Sequence, residues 1–277
     1  MISEKLQSRK IITVEILLPV SGPISGLYKE ITPLQDYIDA LNIPSNPLGK
    51  LRPDALCCAH LIQEKTGIET IPHFVARHYT SLAFESHLLG AAALGIENIL
   101  CVTGDNPVRG RSAFELNSSR LICIAKGLKQ GITSSRKAIP AVDFCLCTSF
   151  NPNVPNIHGE FIKAAAKCEA GAEVFFTQPI FDPVNFLKIL KEFRMRHKDV
   201  KVIAGLSFLH SKKRAFSLMK FLGIPYDYIN NIEERNETEM LLENVKILKE
   251  HINGFYIIPI GRYGCALDLA RAIRSVL

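Results

Sequence analysis

Short apolar runs of strand length alternate with helical sequence eight times along the 277 residues, and no domain linker interrupts the series. A strand followed by a helix, repeated, buries both faces of its strands only in a parallel sheet covered by the helices. Eight such units predict a closed (β/α)8 barrel, the TIM barrel, as a single domain over residues 1–277 rather than an open doubly wound sheet. The strands are expected at 11–18, 54–59, 70–75, 99–102, 141–147, 173–177, 200–204 and 255–260. Helices are expected at 32–41, in a short piece closed by Gly67, and at 81–94, 118–129 and 158–170. Further helices start at Asp182-Pro183 and occupy 211–221, 238–251 and 265–276. Thr32-Pro33-Leu34-Gln35 and Asp182-Pro183 carry the N-cap residue followed by proline that marks a first helical turn.

Composition removes several classes of function. Hydrophobic residues make up 47% and charged ones 22%, so the chain can bury a sizeable core. The net charge of +6 is modest and spread along the chain, and there is no tryptophan, so nucleic acid is not implied. Lys212-Lys213-Arg214 is the one basic cluster, either a solvated helix start or an anion contact. No run approaches about 18 apolar residues and the polar start of the chain lacks a signal-like core, so a cytoplasmic protein away from membranes is expected. Cys57, Cys58, Cys101, Cys145 and Cys147 lie in apolar runs that read as strands, where a thiol acts as a small hydrophobe. The spacing Cys145-x-Cys147 is wrong for a metal knuckle, and no metal site is expected.

No Gly-x-Gly-x-x-Gly follows the first strand and no Gly-Lys-Ser/Thr loop occurs, so neither a Rossmann nor a P-loop site is supported. The absence of a Gly-x-Ser-x-Gly elbow argues against a serine hydrolase. A barrel gathers the carboxyl ends of its strands on one face, where Glu15, His73, Asp105, Gln178 and Arg262 fall. Two carboxylates, a histidine, an amide and a guanidinium favour general acid-base work on a polar heterocycle. Each also has a plainer reading. In that reading His73 serves a backbone carbonyl, Gln178 a helix entry, Gly104-Asp105 a turn, and Arg77 and Arg262 the surface. Glu15 resists one, because a charge within an apolar strand must face a polar cavity or keep its proton.

Several motifs taken together resemble one family. They are Val14-Glu15, Pro72-His73, Leu88-Leu89-Gly90-Ala91 through Gly95-Ile96 into Thr103-Gly104-Asp105, Glu169-Ala170-Gly171-Ala172, and Thr177-Gln178-Pro179-Ile180-Phe181-Asp182. In order over about residues 11–262 they resemble the methylenetetrahydrofolate reductases, and most of all the branch found fused to a homocysteine methyltransferase. The resemblance implies a barrel that holds FAD, takes electrons from NADH or NADPH, and reduces 5,10-methylenetetrahydrofolate to 5-methyltetrahydrofolate. It makes Glu15 the general acid that opens the five-membered ring and Asp105 the charge beside flavin and pterin. Gln178 and Arg262 become substrate contacts. His73, Thr103, Gly104, Asp105, Asn151 and Lys167 become flavin contacts.

The chain departs from the family pattern at Cys58-Ala59-His60, at Thr103 where many members have arginine, and at Thr148 to Pro152. These departures fall on flavin contacts more than on folate contacts. Beside the flavin enzyme stand two alternatives: a folate reductase fed with electrons by a partner protein, and a non-catalytic pterin-binding subunit. A homo-oligomer is compatible with each.

Overall fold

Eight parallel strands hydrogen-bond in sequence order and close on themselves, β1 pairing with both β2 and β8 in a computed structural model that describes residues 1–277. The strands are β1 Ile11–Glu15, β2 Ala40–Ile43, β3 Glu69–Val75, β4 Asn98–Val102, β5 Cys145–Phe150, β6 Val174–Pro179, β7 Lys201–Ser207 and β8 Gly254–Ile258. Around them run α1 Ile2–Ser8, α2 Ser25–Ile31, α3 Ala55–Thr66, α4 Ser81–Ala93, α5 Ser118–Lys129 and α6 Ile157–Ala170. The ring is completed by α7 Pro183–Arg196, α8 Lys212–Leu222, α9 Tyr226–Asn231, α10 Glu237–Leu248 and α11 Tyr263–Val276. The expected (β/α)8 barrel is therefore the observed fold.

Strand alternation divides the core in two. Residues such as Ile12, Val14, Phe74, Phe175 and Phe255 face outward and pack under the helices in the larger cluster. Ile11, Ala40, Ile71, Leu100, Phe176 and Tyr256 belong to a second cluster inside the barrel. Ile2 and Leu6 of α1 join that inner cluster, and the Ile2 N–H donates to Asn98 Oδ1 at 2.9 Å, so α1 plugs the amino-terminal mouth. The inside is a packed core below and is open to ligands only at the carboxyl end.

Two expected elements are corrected. The helix expected at 32–41 stops as a 3-10 turn, Thr32–Leu34, and the chain enters β2 at Ala40. The strand expected at 54–59 is the first half of α3, where the Asp54 carboxylate caps the Cys57 N–H at 2.9 Å. Ala55, Cys58, Ala59 and Ile62 are buried at helical spacing, and a short apolar run does not by itself distinguish that from a strand. Cys57 and Cys58 thus lie on a helix, Cys57 exposed, whereas Cys101, Cys145 and Cys147 are buried in strands. The fifth strand also starts later than expected, at Cys145. Helices α1, α2 and α9 lie outside the expected elements. Lys212-Lys213-Arg214 opens α8 behind the Ser211 N-cap, which is the solvated helix start.

Candidate active site at the carboxyl end of the barrel

A cavity of about 920 Å³ opens at the carboxyl ends of the strands. Glu15, His73, Thr103, Gly104, Asp105, Asn151, Lys167 and Gln178 all line it. Arg262 does not: it is exposed and precedes α11, outside the cavity wall.

Glu15 ends β1 at the cavity floor, where the Tyr256 hydroxyl of neighbouring β8 donates to its Oε2. Burial pushes its carboxyl up to about 7, against the lowering effect of that hydrogen bond. Near neutral pH the group therefore holds a proton and can give it up. On the next strand but one, burial pushes His73 down to about 3, which keeps the ring neutral. Its Nε2 lies 3.4 Å from Asn42 Nδ2 on β2; with the amide donating, the ring accepts there and carries its own proton on Nδ1.

The Thr103-Gly104-Asp105 turn is fixed by close packing. Gly104 has φ +82°, and a Cβ there would stand 2.1 Å from Val75 Cγ1. Its carbonyl accepts from Arg77 Nε at 3.0 Å. Only glycine lets β4 end this close to β3, and the turn sets the exposed Asp105 on the cavity rim. Thr103 Oγ1 accepts from the Ser118 N–H at 3.4 Å, tying the turn to the start of α5. Gly104→Ala is expected to lower stability by about 2 kcal/mol or more, through left-handed strain and the clash. Adding Val75→Ala should recover only the clash, which thermal melts of the single and double variants would resolve.

From the neighbouring β5 unit, α6 presents Glu160, Lys163 and Lys167 to the cavity. Glu160 is buried, and its Oε1 accepts from the Asn151 N–H at 3.0 Å. Asn151 Oδ1 in turn accepts from the Asn153 N–H, so that side chain is held by its own loop. Lys167 Nζ donates to the Ser149 carbonyl at 2.5 Å, and burial lowers its pKa. Gln178 reaches the cavity from β6, whose register to β7 shifts between Phe176 and Pro179. Such an irregularity re-aims side chains at a strand end. Gly205 on β7 lets the two strands approach there, since a Cβ would meet the Thr177 carbonyl oxygen at 2.6 Å.

Other cavity residues were not singled out from the sequence. Tyr256 looks like one more apolar strand residue, and only its pairing across to Thr13 of β1 brings it to Glu15. The Pro44 to Leu48 segment forms a wall because β2 ends at Ile43. The short run Leu41-Asn42-Ile43 followed by Pro44-Ser45-Asn46-Pro47 was the available signal, a strand closed by turn residues.

The barrel and its cavity place the chain among (β/α)8 proteins whose sites are built from strand ends. Its sequence matches the family model described as methylenetetrahydrofolate reductase over residues 4–255, and the chain belongs to that family. It is 24% identical over 213 residues to the 5,10-methylenetetrahydrofolate reductase of Escherichia coli K12, covering 73% of this chain and 69% of that protein. It is 25% identical over 170 residues to a probable methylenetetrahydrofolate reductase (NADPH) of Caenorhabditis elegans, covering 60% of this chain. That match spans only 25% of the worm protein. In fold, the chain superposes with TM-score 0.75 and 18% identity on a Clostridium thermocellum protein described as binding two copies of 5-methyl-5,6,7,8-tetrahydrofolic acid, over 100% of this chain and 99% of that one.

Proposed function

We propose that this chain is a flavin-dependent reductase converting 5,10-methylenetetrahydrofolate to 5-methyltetrahydrofolate, with NADH or NADPH as the electron source. The observation that carries the reading is Glu15, a carboxyl that burial pushes up to about 7 at the floor of the cavity of about 920 Å³ at the strand ends. Opening the imidazolidine ring requires a proton on the departing nitrogen, and a carboxylic acid poised near the working pH suits that task. Gln178 supplies both a donor and an acceptor for the pterin edge. Asp105 sets negative charge where cationic iminium character develops. The family membership and the folate described for the Clostridium protein support a folate substrate.

The residues present fit a flavin dinucleotide. His73 offers a neutral polar contact, and Thr103, Gly104 and Asn151 border the same space. Lys163, Lys167 and the first turn of α5 offer positive charge for a diphosphate. When bound, FAD supplies the hydride chemistry, and the protein contributes position, proton and electrostatics. Arg262 has no part in this reading, because the cavity does not reach it.

The test is an absorption spectrum of the purified protein, followed by anaerobic addition of NADH or NADPH. A flavin spectrum that bleaches and recovers on adding methylenetetrahydrofolate is the expected result. A flavin that bleaches only with an added electron-transfer partner would favour the partner-fed version. Protein that binds folate but stays colourless after FAD reconstitution would overturn the enzyme reading. Folate reduction should also fall as pH rises through about 7, since ionised Glu15 has no proton to give, while flavin reduction by the nucleotide should lack that limb. Steady-state and stopped-flow pH profiles check this.

A further inference from the structure

We infer that Tyr256 is a positioning residue for Glu15, fixing which carboxyl oxygen faces the ligand and stabilising the carboxylate left after proton transfer. The inference rests on the reading of Glu15 as the proton donor. Its basis is geometric. Tyr256 on β8 sits opposite Thr13 on β1, one inward-facing position below Glu15. From there its hydroxyl reaches up and donates to Glu15 Oε2.

The ring has little freedom to leave. Tyr256 is 6% exposed, and its ring meets Phe176 edge-on at 5.5 Å and 90°. Both rings line the cavity floor. No other protein group donates to Glu15, so Oε2 is taken from below and Oε1 is left to carry the acid proton toward the cavity. When that proton moves to the ring nitrogen, the carbon–nitrogen bond breaks and its electron pair stays on nitrogen. The negative charge left on Glu15 is met by the Tyr256 hydroxyl. Burial and the adjacent carboxyl push the Tyr256 hydroxyl well above its ordinary value, so it remains a donor throughout. Sequence distance hides the pair, which is separated by 241 residues.

The experiment compares wild type with Tyr256→Phe, which keeps the ring against Phe176. Glu15 protonation is followed by infrared difference spectroscopy across pH, with Glu15→Gln identifying the carboxyl band. Loss of the donor should move the midpoint up by about one to two pH units, because a hydrogen bond to the charged form is removed. The alkaline limb of folate reduction should move up by the same amount, with kcat falling more than KM rises.

An unmoved midpoint in folded protein overturns the inference, whatever the turnover. A moved midpoint in protein that reduces no folate, in wild type as well, supports the Tyr256–Glu15 pairing while removing the reductase reading. Should Tyr256→Phe fail to fold, Phe176→Leu serves instead. It loosens the ring and keeps the hydroxyl, and it should broaden or shift the same titration; an unchanged titration there counts against the inference.

Discussion

Glu15→Gln is expected to lower methylenetetrahydrofolate reduction by about 10²- to 10⁴-fold, the usual worth of a positioned general acid. Flavin reduction by NADH or NADPH should survive, because that half-reaction needs no proton from Glu15. The amide preserves shape and still accepts from Tyr256, so the loss reports the proton and not the packing. Stopped-flow measurement of the two half-reactions separates these effects, and unchanged turnover to the methyl product would remove Glu15 from the mechanism.

The same variant should change stability with a definite sign. The folded-state pKa of Glu15, about 7, lies above its ordinary value of 4.5. Between those values the folded protein binds the proton more tightly than the unfolded chain, so wild-type stability falls as pH rises through this window. Glu15→Gln lacks this loss and should gain on wild type as pH rises from 4.5 to 7, then keep the advantage. Denaturant unfolding at pH 5 and pH 8 tests the crossover.

Asp39→Ala is expected to produce the largest loss of stability, on the order of 3 kcal/mol. Asp39 immediately precedes β2 and its carboxylate is 1% exposed. It accepts from Arg9, from Arg274 Nη2 at 2.6 Å and from the buried Ile12 N–H at 2.8 Å. One side chain thus joins the entry to β1, the start of β2 and the last helix, α11, and closes the amino-terminal end of the barrel. Truncation strands a buried N–H and leaves two guanidiniums facing each other. Both arginines keep a route to water, which holds the loss near the lower end for a broken buried ion pair. A thermal melt should fall by several degrees. A melt within about one degree of wild type would show that water replaces the carboxylate at little cost.

Most of the barrel was legible because its signals are local. An N-cap aspartate before Pro183, a glycine after α6 and the apolar runs of β3, β4 and β7 each act within a few residues. The region from Thr32 to Ala59 misled for the same reason. Thr32-Pro33-Leu34-Gln35 carries a helix start that tertiary structure halts after a single turn, and β2 has only four residues, too few to show a period. Placing that strand at 54–59 kept the count of eight while shifting the segment that walls the cavity. In the candidate site, Glu15 stood out as a charge in an apolar strand, and Gly104 with Asp105 as an abrupt strand end. Tyr256 did not, because a tyrosine among Phe255, Ile257 and Ile258 is ordinary strand composition.

The sequence by itself determined the alternation of strands and helices over most of the chain and the isolated carboxylate on the first strand, since these depend on short-range periodicity and on the energy of burying a charge. The total of eight came out right with the second strand misplaced. Only the tertiary structure decided what that carboxylate meets. Closing β8 against β1 in one register sets Tyr256 beneath Glu15, and the same closure leaves Arg262 on the outside. Register across a barrel is fixed by the joint packing of all its strands, a property that no single stretch of the chain contains.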